Sequence, residues 1–561
     1  MLANVHAALR AGDVSGAEAR CREALARFGP RADVLANLGS VMLARGRFGE
    51  AANALHAVHE AAPAHAGIAA NYGLALLRDG RADAAVPVLR RAVALDPGHV
   101  EAWNNLGLAC SAIDDAEGAA HAFATALERA PRYMAALSNW CDDLVKRGRL
   151  DDARQVAQRH TSVTPERADP WYKLGYVLVL CDDLGAARAA FEKALALDPR
   201  YAPTQHNLGT VALWENRLGD AIGHFHASIA LDPRYADPKF GLAAALLKSR
   251  RGDEGWAAFE ARYAMHDRDL RALEHRLRPW DGNPMPAGTL LVLPEEGLGD
   301  VLQFVRFLPE ARRRVQRLVM FCDGYWAPLR RMLAETFGDD CVLDGAGGQL
   351  QVGAACRLLS LPSLLRLGDR AFDAQPAYLA VPEQRKRAWA ERIRTRSGLR
   401  VGLCWGGNAR MHDRYASLIN ARRSIGLAQL APLAEVADVR FFSLQKDGAD
   451  DVRHAPFAIE DLTDALDDYA DTAALMANLD LVVSVDTSIV HCAGAIGRPV
   501  WMLDRFDNCW RWGTDAASPG WYESLRVFRQ ARFRDWSQAV VDMRDALAVE
   551  AVRHAARASA G

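Results

Sequence analysis

Residues 103–131 read WNNLGLACSAIDDAEGAAHAFATALERAP, and Trp103, Leu106, Gly107, Ala119, Phe123, Ala126 and Pro131 mark a unit that recurs along the chain. Prolines stand at Pro63, Pro97, Pro131, Pro165, Pro199 and Pro233, each 34 residues after the last. Ala51, Ala85, Ala119, Ala153, Ala187 and Ala221 keep the same step, as do Gly39, Gly73 and Gly107, and again Gly175 and Gly209. A proline at a fixed step ends one helix per unit, and small residues at that step let two helices approach closely. A unit of this size buries its apolar face only against its neighbours, so the units must stack.

The pattern resembles the tetratricopeptide repeat and runs from about residue 1 to 265, with a partial first unit and a deviating last one. The resemblance implies an all-α superhelix with a concave groove. Asn37, Asn71, Asn105, Asn139 and Asn207 share one repeat position, with Lys173 breaking the row. A carboxamide offers a donor and an acceptor, so a ladder of them can hold an extended peptide. This is similar to the asparagine ladder in the groove of O-GlcNAc transferase. The other reading is packing and turn formation, for which asparagine is common at this position in such repeats.

Composition bounds what the rest can be. The 561 residues suit two to four domains, and half of them are apolar, which excludes a disordered or collagen-like chain. Lys plus Arg number 68 against 70 Asp plus Glu, so the chain as a whole does not read as a nucleic-acid binder. The 10 cysteines are scattered without a C-x-x-C pair, so neither a zinc knuckle nor a redox pair is visible. The start, MLANVHAALRAGD, lacks the basic and apolar regions of a signal peptide. The stretches YVLVLC (176–181) and LDLVVSVD (479–486) are far too short to span a membrane. A soluble cytoplasmic protein without an integral membrane segment is expected.

Beyond RPWDGNPMPAG (278–288), which reads as a linker or domain entry, the 34-residue step ends. Apolar runs then alternate with helical stretches: TLLVLP (289–294), RLVMFC (317–322), RVGLCW (400–405), VRFFSL (439–444), LDLVVSV (479–485) and PVWMLD (499–504). Such runs indicate parallel sheets covered on both faces. A charged helical stretch near 380–398 splits them into two series, read as two doubly wound domains facing a cleft. The expected division is a repeat array at 1–277, a linker at 278–288, Rossmann-like domains at 289–385 and 398–535, and a C-terminal helix at 536–561.

Ligands bind beyond the carboxyl ends of parallel strands, so the chemistry is sought there. In LVLPEEGLGDVLQF a strand runs into Gly297 and Gly299, which allow close backbone approach, and Asp300 opens a helix; an N-cap role alone also accounts for it. In DLVVSVDTSIVHCAGAIGRPVWML, Asp486, Thr487 and Ser488 stand at a helix start that favours a diphosphate. His491 follows within about a turn, although a lone helical histidine is usually structural. Trp501, Trp510, Trp512, Trp521 and Trp536 crowd the end of the chain. Trp501 and Trp536 read as core, whereas Trp510 and Trp512 flank Arg511 and suit either a stacked ligand or the core.

This half resembles the bacterial tetratricopeptide-linked glycosyltransferases, related to the family 9 heptosyltransferases and distantly to O-GlcNAc transferases. The matching blocks are EEGLGDVLQFVRFLP, VGLCWGGN, RRSI, FFSLQK, DYADTAALMANLDLVVSVDTSIVHCAGAIGRPVW, WRWG and SPGWYESLRVFRQ, in order over about 280–535. The resemblance implies an α/β GT-B fold, two Rossmann-like domains with the acceptor side first and the donor side second. It implies a nucleotide-sugar donor, inversion, no required metal and no cofactor, with a protein or glycan acceptor recruited by the repeats. By it Asp300 is the general base, and Gly299, Asn408, Arg423, Lys446, Asp486, Thr487, Ser488, His491, Trp510 and Arg511 surround the donor. Lys446, or Arg423, would place positive charge on the departing diphosphate. Three departures bear on acceptor choice: Glu296 where the family has glutamine, His412-Asp413-Arg414 where it often has N-D-R, and the extra stretch YASLINAR before Arg423. Two other readings stay open, a catalytically inactive repeat scaffold and a sugar-nucleotide sensor or epimerase.

Overall fold

A computed structural model of the chain describes residues 5, 8, 11–264, 277–343, 351–394, 398–407 and 414–560. The chain forms two compact units, Met1–Arg200 and Tyr201–Gly561. The first is an all-α tetratricopeptide superhelix of antiparallel helix pairs such as Val100–Ala112 with Ala116–Arg129 and Ala168–Leu180 with Leu184–Leu197. The second helix of each pair stops two residues short of its proline, as at Arg129 before Pro131. The glycine column exists because the helices nearly touch: a Cβ on Gly107 would lie 2.7 Å from the Phe123 ring, and one on Gly73 would lie 2.5 Å from Leu89. The alanine column is fully buried at Ala51, Ala85, Ala119, Ala153 and Ala187.

The period continues into the second unit through the helices Ala202–Trp214, Leu218–Leu231, Asp237–Lys248 and Gly252–Phe259. These last repeats do not form a body apart from the sheets, as the expected boundary at 277 had it. Leu247, Trp256 and Phe259 share one apolar core with Phe304, Phe372, Trp510 and Trp521. Trp256 stacks on Phe372 with centroids 5.4 Å apart, and its indole N–H donates to the Gly368 carbonyl at 3.1 Å. Burying rings of this size stabilises far more than the repeat-to-repeat contact of small residues.

Two all-parallel sheets follow. The first holds β1 (Met285–Leu293), β2 (Val315–Phe321), β3 (Val342–Leu343) and β4 (Ala354–Arg357) in the order β3-β2-β1-β4. The second holds β5 (Leu399–Cys404), β6 (Val439–Ser443), β7 (Ile459–Glu460), β8 (Leu481–Val485), β9 (Val500–Asp504) and β10 (Leu525–Arg529), in the order β10-β9-β8-β5-β6-β7. Every residue of β8 and β9 is buried, as near-continuous apolar runs require. The strand order reverses between β1 and β4 and between β5 and β8, and crevices open at such points.

The stretch 278–288, expected as a linker, is part of the first sheet. Trp280 N–H donates to the Ala355 carbonyl and Ala355 N–H to that of Arg278, both at 2.8 Å, and β1 already begins at Met285. Its prolines fit a sheet margin, where a missing N–H leaves no gap in the ladder. The charged helix Glu383–Ile393 buries Trp389, whose indole N–H donates to Asp471 at 3.2 Å, so it packs beside the second sheet. The C-terminal helix Ser537–Ala560 buries Val540, Met543 and Leu547 against the same sheet's outer core.

Candidate functional site

A cavity of about 890 Å³ opens at the β5/β8 switch point, beyond the carboxyl ends of β5, β6 and β8. Each strand delivers one part of its wall. After β5 the chain turns through Gly406 and Gly407; the Gly406 N–H donates to the Gln445 side-chain oxygen at 3.0 Å. A Cβ on Gly407 would lie 2.1 Å from Arg423 Nη2, so only glycine lets the guanidinium rest against the backbone here. After β6 come Gln445 and Lys446, whose ammonium donates to the Leu466 carbonyl at 3.1 Å. After β8, Thr487 caps the helix Ser488–Ala495 by accepting from Ile489 N–H at 3.3 Å. The positive end of that helix and the Lys446 charge make one side of the cavity favourable to an anion. Asp447 and Asp451 stand on the wall as well, Asp451 accepting from the Trp405 indole at 2.8 Å.

Lys446, Thr487 and Ser488 line this cavity. Arg423 adjoins it through Gly407 and donates to the Asp486 backbone carbonyl at 3.3 Å. The Asp486 carboxylate exerts its field on Arg505 and Arg511. Asn408 lies outside the described residues, as do His412 and Asp413.

His491 and the tryptophans depart from the expected donor contacts. His491 is buried, with Nδ1 2.9 Å from the Tyr522 hydroxyl and its ring stacked on Trp512 at 5.4 Å. Burial, and then the positive charge of Arg511, pushes its pKa down to about 3, so it is neutral at pH 7. His491 lies one turn on from Ser488 on the same helix face, but Tyr522 and Trp512 enclose its ring and keep it in the core. Trp512 is fully buried beneath it, and Trp510 packs edge-on to Trp256 and against Phe259 and Trp521. Trp510 is covered on several sides by other aromatics and Trp512 has no exposed surface, so both read as core.

Asp300 also lies outside the cavity wall. One carboxylate oxygen accepts from Gly297 N–H at 2.9 Å, closing the start of the helix Leu298–Phe304, and the other is ion-paired with Arg511. Arg511 in turn donates to the Gln303 side chain at 2.8 Å and lies 4.4 Å from the Trp510 centroid. Burial lowers the Arg511 pKa most, but Asp300, Cys509 and Asp486 together outweigh it and the net shift is upward. Gly299 is where the two helix starts meet: a Cβ there would lie 3.0 Å from the His491 ring and 3.1 Å from Ser488 Cα.

The switch point of the first sheet is filled. Arg262, from the turn after the last repeat helix, is fully buried and grips both oxygens of Glu295 at 2.7 and 3.0 Å. It also donates to the Ser360 hydroxyl at 2.7 Å, and Arg357 from β4 stands 3.7 Å from the same carboxylate. Sequence reasoning missed this cluster because Arg262 sits in the deviating last unit, where no column marks it.

The asparagine row is half-buried, and four of its members are hydrogen-bonded to residues outside the row. Asn37 donates to the Asp33 carbonyl at 2.7 Å, Asn71 to the Ser40 hydroxyl at 3.4 Å, and Asn139 to the Asn104 side chain at 2.9 Å. Asn105 accepts from Asn104 at 3.4 Å, while Lys173, at the break, pairs with Asp142. Asn207 is half-buried in the second unit's first helix.

The tetratricopeptide repeat family profile matches residues 2–66, 38–99, 72–135 and 139–202. Protein FlbA of Caulobacter vibrioides is 25% identical over 316 residues, 51% of this chain and 50% of that protein, so the chain spans about half the length of the curated relative it matches. Among solved structures, Pseudomonas aeruginosa pilF is 19% identical over 38% of this chain and 96% of its own, with a TM-score of 0.32. TTC0263, a thermophilic TPR protein of Thermus thermophilus, is 25% identical over 33% of this chain and 100% of its own, at 0.27. The repeats make the first part of the chain an array for protein–protein interaction. Among the described residues no helix is long and apolar enough to cross a membrane.

Proposed function

We propose that the chain is a glycosyltransferase of the GT-B kind, moving a sugar from a nucleotide-sugar donor to an acceptor recruited by the repeats, with inversion and without a required metal. The observation that carries this reading is the 890 Å³ cavity at the β5/β8 switch point, with a helix start, Thr487, Ser488 and Lys446 on its wall. In this reading the helix start and Lys446 stabilise the departing diphosphate, with Arg423 behind Gly407 adding charge. Asp300 takes the proton of the attacking acceptor hydroxyl, which requires that it first part from Arg511.

Thermal-shift titration with UDP, GDP, ADP and CMP and their common sugars tests it. A ligand that binds the folded state raises the melting temperature with its occupancy. One nucleotide is expected to do so selectively, and Lys446→Ala is expected to shrink that shift.

A second reading, a repeat scaffold with an inactive α/β half, is favoured by one feature: both Asp300 oxygens are already engaged, by Gly297 and by Arg511. No shift with any nucleotide would select the scaffold.

A further inference from the structure

The turn Gly324–Leu329 follows β2 at the same sheet edge as the loop that carries Glu296 to Asp300. It presents Tyr325 with 61% of its surface open, more than Phe28 at 51% or Tyr415 at 46%. This ring is held in place rather than loose. It meets Trp326 edge-to-face at 5.9 Å and 79°, and the Trp326 indole N–H donates to the Glu296 carbonyl at 3.3 Å. The turn is pinned at its start by Asp323, which accepts from Gly324 N–H at 2.8 Å, and by the Cys322 thiol, which donates to the Trp326 carbonyl at 3.1 Å. Glu296 holds a left-handed backbone, φ 60°, which a glutamate keeps only where the surroundings impose it.

The position of the turn identifies its occupant. On one side it is bonded to the loop of Asp300; on the other it packs against the helix Tyr469–Ala477, whose first residue lines the large cavity. Arg331, just after the turn, ion-pairs with Asp468, which caps that helix, at 3.0 Å. The aromatic pair therefore stands between the proposed donor cavity and the loop that carries the proposed base. Tyr325 presents its open face beside both. A flat ring with polar groups around it matches a pyranose, which has an apolar C–H face and a rim of hydroxyls.

We propose that Tyr325 and Trp326 form a carbohydrate-stacking subsite that receives a pyranose ring of the acceptor, which makes the acceptor a glycan or glycoconjugate. This rests on the glycosyl-transfer reading for its place in a reaction, though the binding itself is measurable alone. Tyr325 supplies the face, and Trp326 fixes the angle of that face through its bond to Glu296.

Saturation-transfer NMR tests the proposal on the full chain, with methyl pyranosides of the gluco, galacto, manno and N-acetylglucosamine series as probes. The nucleoside diphosphate found by thermal shift is added in a parallel series. Transfer to ring C–H protons is expected with the native protein and with Tyr325→Phe. With Tyr325→Ala it should fall by about fivefold or more, the scale of one aromatic contact. Signals that survive Tyr325→Ala unchanged, or no signal from any pyranoside, overturn the subsite; so does signal only from peptides added in place of the sugars. A nucleotide shift that persists in Tyr325→Ala shows that the donor reading stands or falls separately. Because Tyr325 is exposed, this variant is expected to melt with the native protein, and that control separates lost binding from lost folding.

Discussion

Arg511 and Asp300 form an ion pair that ties the loop beyond β9 to the loop beyond β1. The side chains are 13% and 22% exposed, so the pair is shielded enough to matter more than an exposed one. It also occupies one of the two Asp300 oxygens, and Gly297 N–H holds the other.

Asp300→Asn should abolish transfer while leaving the nucleotide thermal shift nearly unchanged, because Asp300 is not on the cavity wall. Asparagine keeps an oxygen for the Gly297 N–H, so the helix start survives. Simultaneous loss of transfer and of the nucleotide shift would mean that Asp300 is structural only.

Arg262→Ala leaves the Glu295 carboxylate buried with its main partner gone, and breaking a buried pair from one side costs about 3–5 kcal/mol. Urea unfolding followed by tryptophan fluorescence should show the loss, since Trp256 reports on the same core. Adding Glu295→Gln to Arg262→Ala should restore part of it, because the carboxylate left without Arg262 is then neutral, while Arg357 loses its carboxylate neighbour. An unchanged midpoint for the single variant would show that solvent reaches Glu295.

His491 predicts a pH dependence. Its pKa, about 3 in the folded chain, lies below the ordinary value of 6.5, so the unfolded chain binds a proton first. Its contribution is fully present above about pH 6.5 and is lost progressively as pH falls from there toward 3. The slope from this one group approaches about 1.4 kcal/mol per pH unit. Melting temperatures from pH 7.5 to 5 should fall less steeply for His491→Gln than for the native protein; parallel curves would remove His491 as the cause.

Gly107→Ala puts a methyl group 2.7 Å from the buried Phe123 ring, and overpacking of this kind costs about 1–3 kcal/mol. Circular dichroism melting should show the drop, and Phe123→Leu in the same chain should recover part of it. A neutral Gly107→Ala would mean that the two helices of this repeat separate easily.

The repeats were legible because their cause is local. The same contact recurs every 34 residues, so Gly107 against Phe123 and Gly209 against Phe225 leave the same mark in the chain. The strands were legible for a similar reason: VWMLD and LVVSV are apolar throughout because both faces are covered. Lys446, Thr487 and Ser488 were legible as a group, since each follows a strand and must emerge at the carboxyl edge.

The sequence by itself determined the period, the parallel strands and the edge where a ligand would sit, because each follows from residues a few positions apart. Only the tertiary structure decided which way a side chain faces and what meets it. His491 and Ser488 share a helix face, yet one is in the core and the other on the cavity, a difference set by what packs over each. Arg511 meets Asp300 across 211 residues and Arg262 meets Glu295 across 33, with no periodic pattern to announce either. The last repeats joined the sheets instead of the array because Trp256 and Phe259 had larger rings to bury there than their neighbours could cover.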